Sequence, residues 1–267
     1  MCRNIFAIAT AIVVVLVMVP PAPAITYGQA DTENTYSNVG TMIIKLPDGN
    51  LMPLCSGTLI DPDVFLTASH CIMPLIRYGN TDLWVSFDQV ISNDSTLIPA
   101  TFFINPDFSQ RQNDPGDIGV LLLDYPASDV YPGISPAVLP TPELLEQLTA
   151  QNGLHGAIFV SVGYGRQEPA LGGGPPIFGP SGERRVAYSE FRALNKAYIR
   201  LSQNPATDDG GTCYGDSGGP NFLEINGTLF LVGITITGDA MCRATNVDYR
   251  TDTESARSFL AGFVTLP

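Results

Sequence analysis

A chain of 267 residues with 45% hydrophobic and only 15% charged residues has the makings of a substantial core and is no disordered polyelectrolyte. The net charge of -13, from 13 Lys+Arg against 26 Asp+Glu, supplies no basic face for nucleic acid, and two histidines, His70 and His155, are too few for a His-rich metal site. The 26 Gly and 22 Pro disfavour long helical bundles and suit a turn-rich β protein.

The first 24 residues read as an export signal. Arg3 provides the positive start, and residues 5–19 are apolar apart from Thr10. Pro20, Pro21 and Pro23 stop the run, and Ala22-Pro23-Ala24 is a small-residue cleavage site. The apolar run is about 15 residues, short of the roughly 20 that a spanning helix needs. No stable membrane insertion is therefore expected after cleavage. Removal of the signal leaves 12 basic and 26 acidic residues, a net charge of -14, which suits a secreted, soluble protein. Cys2 leaves with the signal. Cys55, Cys71, Cys213 and Cys242 remain, and an even number in an exported chain implies disulfides, with three pairings open. Pairs 55–71 and 213–242 close the shortest loops. No C-x-x-C spacing suggests zinc or a redox site.

In chain order, short β-type runs are predicted at 41–46, 55–60, 64–68, 83–87, 101–105 and 118–123. A second set follows at 158–162, 184–189, 198–201, 222–225 and 229–236, with a further candidate at 249–251. Gly, Pro, Asn and Asp separate most of them, as expected for all-β barrels or sandwiches. Between the sets, residues 124–152 carry five prolines and read as a linker between two β domains. The expected halves are 25–130 and 131–267. Residues 172–180 form a Gly/Pro loop. Phe259, Leu260 and Phe263 have helical spacing, so a short C-terminal helix is expected over 254–264, with Asp252 or Thr253 as its N-cap.

Three segments carry chemistry. Gly215-Asp216-Ser217-Gly218-Gly219-Pro220 presents a serine in a glycine-rich turn. A serine hydroxyl needs a base to become a nucleophile, and backbone N–H groups to hold the developing oxyanion. Leu66-Thr67-Ala68-Ser69-His70-Cys71 supplies the base, His70, after an apolar run and beside a cysteine. His155 lies in a surface-type turn and is read as solvated. The base needs an orienting carboxylate. Asp117 precedes the apolar run at 118–123. Its rival, Asp114, stands before Pro115-Gly116 in what reads as an exposed turn.

Together these segments resemble the signatures of trypsin-like, chymotrypsin-fold serine endopeptidases. The order His, Asp, Ser is the family's, with gaps of 47 and 100 residues. Cys55-Ser56-Gly57-Thr58-Leu59-Ile60, Gly163-Tyr164-Gly165 and Val232-Gly233-Ile234 extend the likeness over residues 25–267. The resemblance implies two antiparallel six-stranded Greek-key barrels with the site in the cleft between them. It implies His70 as general base and acid, Asp117 as its orienter and Ser217 as nucleophile. Gly215 and Ser217 would form the oxyanion hole by their N–H groups, and Cys55–Cys71 and Cys213–Cys242 would be the disulfides. It also implies that a new N-terminal amine pairs with Asp216. Signal removal would generate that amine at Ile25, since Ile25-Thr26-Tyr27-Gly28 shares its Ile and its fourth-position Gly with the family's start.

By the same resemblance the substrate pocket is set by Gly211, with Thr212, Ile236, Thr237, Gly238 and Val247 as walls. Gly211 is not an acid, so cleavage is expected after uncharged apolar residues of small to medium size. Gly238 keeps one wall open and Val247 would narrow the slot. Ile236 stands where the family has a serine that bonds the catalytic aspartate, and Thr237 where it has a tryptophan. The rival function is a protease-like binding or regulatory protein that no longer cleaves. A small-ester hydrolase would have a G-x-S-x-G elbow and the order Ser, Asp, His, which this chain lacks. The expected partners are protein or peptide substrates and protein inhibitors, met by a monomer. No cofactor and no metal site is expected, because Asp94, Asp208 and Asp209 have no calcium-ligand spacing. Asn93 and Asn226 stand in glycosylation sequons.

Overall fold

The computed structural model describes residues 25–79, 82–109, 113–170 and 177–267, so the signal reading lies outside the described residues. The strands run β1 Gln29–Ala30, β2 Val39–Lys45, β3 Leu51–Asp61, β4 Val64–Thr67, β5 Trp84–Ser86, β6 Ile98–Ile104 and β7 Gly119–Leu123. They continue as β8 Ile158–Gly163, β9 Pro169–Ala170, β10 Ile177–Phe178, β11 Arg185–Leu194, β12 Tyr198–Ser202, β13 Pro220–Ile225, β14 Thr228–Gly238 and β15 Thr245–Arg250. Helices α1 Ser69–Tyr78, α2 Leu144–Ala150 and α3 Glu254–Leu260 complete the regular elements, with 3-10 turns at Ala127–Asp129 and Pro205–Thr207.

Strands β2-β3-β4-β7-β6-β5 close one antiparallel barrel. The order β11-β12-β15-β14-β13-β8 closes a second through the β11–β8 pairing. Two six-stranded barrels and a short terminal helix are the architecture that the resemblance implied. Val39, Met42, Leu59, Phe65, Leu66, Val85, Ile98, Val120 and Leu121 are buried on the strands of the first barrel. Phe159, Ile199, Leu201, Leu223 and Val232 fill part of the second. Burying such side chains supplies roughly 1.5–3 kcal/mol apiece.

Each end of the chain crosses to the opposite barrel. β1 pairs with β11, although it precedes the first barrel. α3, N-capped by Thr253 through a bond from the Ala256 N–H at 3.3 Å, sends the chain back to the first barrel, where the Phe263 ring packs 5.3 Å from that of Phe103. Between the barrels Arg184 and Asp31 pair at 2.9 Å with both side chains almost wholly buried. Arg184 also donates to the carbonyls of Val39 and Phe87.

Two helices fall where none was expected. α1 begins directly after β4 and contains Pro74, which cannot donate to the carbonyl of His70 one turn back. It ends at Gly79 in the left-handed conformation, which leaves Arg77 favourably placed in its last turn. α2 lies inside the segment read as a linker. Asp252 Oδ2 accepts from the Leu145 N–H at 2.9 Å, and Arg250 bonds Glu146, so the segment is pinned to the second barrel. Part of the 172–180 loop is outside the described residues, and Ile177–Phe178 forms strand β10.

Candidate active site

The register of two neighbouring strands brings His70 and Asp117 together across 47 residues of sequence. β4 and β7 pair antiparallel with Thr67 opposite Gly119. His70 lies three residues beyond the end of that pair, in the first turn of α1, and Asp117 lies two residues before it. Asp117 is 5% exposed. Its Oδ1 accepts the His70 backbone N–H at 2.9 Å, and its Oδ2 lies 2.8 Å from Nδ1. A carboxylate oxygen can only accept here, so in the neutral ring Nδ1 carries the proton and Nε2 the lone pair. Ser69 Oγ donates to the Ile118 carbonyl at 2.6 Å and locks α1 to the segment that leads from Asp117 into β7. Asp114 instead accepts from the Tyr249 hydroxyl at 2.8 Å, and His155 lines a separate hollow with Thr149, Asn152 and Phe191.

Ser217 comes from the other barrel, in the turn before β13. Its carbonyl accepts the Ser56 N–H at 3.0 Å, and Gly218 donates to Thr235 at 2.7 Å. The Cys55–Cys71 disulfide lies at the junction. Cys71 Sγ lies 3.7 Å from His70 Nε2 and 3.7 Å from the Ser217 carbonyl oxygen. The ring nitrogen and the serine main chain are thus no more than twice that distance apart. Among the described residues Ser217 Oγ makes no hydrogen bond, and no acceptor takes up the N–H of Gly215 or Ser217. Catalytic hydrogen bonds are often long before substrate arrives.

The turn is glycine-rich for steric reasons. Gly215 has φ +101° and Gly218 φ +79°, where a side chain is strained. A Cβ on Gly218 would also lie 2.2 Å from Thr67 Oγ1 and 2.6 Å from the Ser56 carbonyl. Asp216 is fully buried. It accepts from Gly165 N–H at 2.7 Å and Cys213 N–H at 2.8 Å. Burial pushes its carboxyl up to about 7, against the downward pull of those two amides. Gly163 and Gly165 make room for it: a Cβ on either would fall within 2.4 Å of an Asp216 oxygen. Ile25 is also fully buried, and Thr26 bridges to Gly211.

Beside Ser217 opens a cavity of about 280 Å³. Thr212, Ile236, Thr237 and Gly238 line it, as does Asp239. Desolvation raises Asp239, but hydrogen bonds from the Thr245, Ala244 and Arg243 amides and from Gln203 outweigh it and hold the carboxyl below the usual range. Tyr214 also lines the cavity and donates to the Ala240 carbonyl at 3.2 Å, and the Cys213–Cys242 disulfide joins the same two segments. Val247 does not line the cavity. It stands on β15 between Thr237 and Arg200 of the neighbouring strands. Gly211 lies behind the lining, against the side chain of Gln203.

Three features escaped sequence reasoning. Ser56 Oγ donates to the Gly215 carbonyl at 3.0 Å and accepts from Tyr164 N–H at 2.9 Å, tying the serine turn to the first barrel. Gln203 packs against Gly211 and donates to Asp239 of the cavity lining. Asn221, Thr235 and Asp248 form a buried polar cluster, with Asn221 Nδ2 2.7 Å from Asp248 Oδ1. Burial raises the Asp248 carboxyl well above its ordinary range, against hydrogen bonds from Thr235, Asn246 and Asn221. No local motif announces any of the three, since each depends on which strands become neighbours.

A histidine–carboxylate pair from one barrel thus stands beside a serine turn from the other. The trypsin family model matches residues 30–260. The chain belongs to the trypsin family. It is 23% identical to CLIP domain-containing serine protease B15 of Anopheles gambiae, over 85% of this chain and 65% of that protein. Vitamin K-dependent protein C of Mus musculus is 29% identical over 72% of this chain and 42% of its own length. Tryptase of Mus musculus is 26% identical over 84% of both. The chain thus spans just under two thirds of the first relative and under half of the second. Its two disulfides fit an oxidising compartment. No helix among the described residues is long and apolar enough to cross a membrane.

Proposed function

We propose that the mature chain is a secreted serine endopeptidase that hydrolyses peptide bonds through an acyl-enzyme. His70 Nε2 takes the Ser217 proton as Oγ attacks the scissile carbonyl, and the proton then passes to the leaving amine. Asp117 keeps the imidazole in the required tautomer and stabilises the imidazolium. The oxyanion is held by the N–H groups of Gly215 and Ser217. Water then repeats the sequence and releases the acyl group. What carries this reading is the His70–Asp117 pair at 2.8 Å beside a serine turn whose two amides are unclaimed among the described residues.

Loss of residues 1–24 would free an amine on Ile25 that pairs with Asp216, whose buried carboxyl otherwise has only backbone donors. The halves divide near residue 130. The cavity beside Ser217 takes uncharged side chains of small to medium size from protein substrates, and the enzyme acts as a monomer. A fluorophosphonate probe tests the reading. It labels the purified mature protein at Ser217 and fails to label Ser217→Ala. An unlabelled wild type would leave the non-cleaving binding protein as the better description.

A further inference from the structure

Gln203 is fully buried immediately after β12, and only half of its amide is satisfied. Nε2 donates to the Thr245 carbonyl at 3.0 Å and to Asp239 Oδ1 at 3.3 Å. Those two acceptors fix the orientation, because a flipped amide would set Oε1 against two oxygens. Oε1 therefore faces the other way, where it has no partner among the described residues. What it faces is the bare backbone of Gly211: a Cβ there would lie 2.1 Å from Oε1 and 2.5 Å from the Gln203 Cβ. On the other side a Cβ on Gly238 would lie 3.4 Å from Nε2. Gln203 thus occupies the volume that a side chain at 211 would fill, between Gly211 and the cavity wall at Gly238.

We infer that Gln203, rather than residue 211, is the floor of the substrate pocket and sets the length of side chain it accepts. The inference rests on the protease reading and narrows its uncharged class to short side chains such as Ala, Val and Thr. An orphaned buried acceptor costs stability, so its retention calls for an explanation. A raised floor excludes long side chains by overlap. A long cation would gain less from Asp239 than from a free carboxylate, because Asp239 already accepts from the amides of Met241, Arg243, Ala244 and Thr245 and from Gln203. Gly211 is then a steric requirement of the glutamine, and Gln203 is held in place through the 239–245 turn.

The test uses the mature enzyme on peptides that differ only at the residue before the scissile bond. Ala and Val substrates are expected to exceed Phe and Arg substrates by about tenfold or more in kcat/KM. Gln203→Ala should raise the Phe-to-Ala ratio by about tenfold or more, whereas Gln203→Met, similar in length, should keep the wild-type order. Gln203→Asn makes the same test with one methylene removed and favours Leu over Val, should the alanine variant fail to fold. A wild-type preference for Phe or Arg, or an unchanged ratio in Gln203→Ala that still labels with fluorophosphonate, overturns the inference. Wild type that does not label at all defeats the protease reading instead.

Discussion

Replacing Asp216 by asparagine decides whether a charged amine enters the second barrel. With only its two backbone donors, the Asp216 carboxyl rises from 3.8 to about 7. Three pH units correspond to roughly 4 kcal/mol spent on burying the charge. Without a cationic partner, the folded protein holds its proton more tightly than the unfolded chain. Stability is then complete below the unfolded value near 3.8 and declines by about 1.4 kcal/mol per unit as pH rises towards 7. The Asp216→Asn change would relieve that cost and stabilise the protein at pH 8, less what it loses by facing two N–H groups with one acceptor. With the Ile25 ammonium as partner the sign reverses. The ion pair stands through neutral pH and is lost when alkaline pH strips the amine proton, and Asp216→Asn strands a buried ammonium at a cost of about 3–5 kcal/mol. The assay is urea unfolding between pH 4 and 10 on protein beginning at Ile25, with Ser217→Ala in both forms to prevent self-cleavage. A variant more stable than its parent at pH 8, with parental stability declining between pH 4 and 7, would refute the paired amine.

Asp117→Asn should leave the fold intact and lower kcat by about 10⁴-fold, because an amide nitrogen facing Nδ1 favours the wrong tautomer; steady-state kinetics check it, and this magnitude is the one measured for the equivalent change in the serine-protease template. Gly218→Ala forces a Cβ to 2.2 Å from Thr67 Oγ1 at a positive φ, so it should abolish fluorophosphonate labelling and lower the thermal midpoint. Serine at both Cys213 and Cys242 opens a 29-residue loop, with an expected loss of about 3–4 kcal/mol in urea unfolding.

Residue order alone was enough for the parts of this protein that are local. Short β-type runs and the turn residues between them marked nearly every barrel strand within a few residues, because Gly, Pro, Asn and Asp end strands locally. The serine turn was legible because its glycines answer a local need for positive φ, and the histidine segment because it ends an apolar run beside a cysteine and resembles the family's signature. α1 was not, since Pro74 and a preceding strand disguise a helix that Gly79 and packing against β6 and β7 sustain. α2 was hidden for a similar reason: it is held by Asp252 and Arg250, which lie more than 100 residues away.

Which groups stand side by side was settled by the packing of the two barrels. The 2.8 Å approach of Asp117 to His70 follows from one strand register, and Asp114, three residues earlier, is drawn instead to Tyr249. The pocket shows the limit most plainly. The resemblance implied Gly211 and Val247 as pocket residues; in the fold Gln203 packs against Gly211, and Val247 pairs with neighbouring strands outside the lining of the cavity beside Ser217. A glycine specifies only that a side chain is missing, and the neighbour that fills the space is chosen by the pairing of strands distant in sequence.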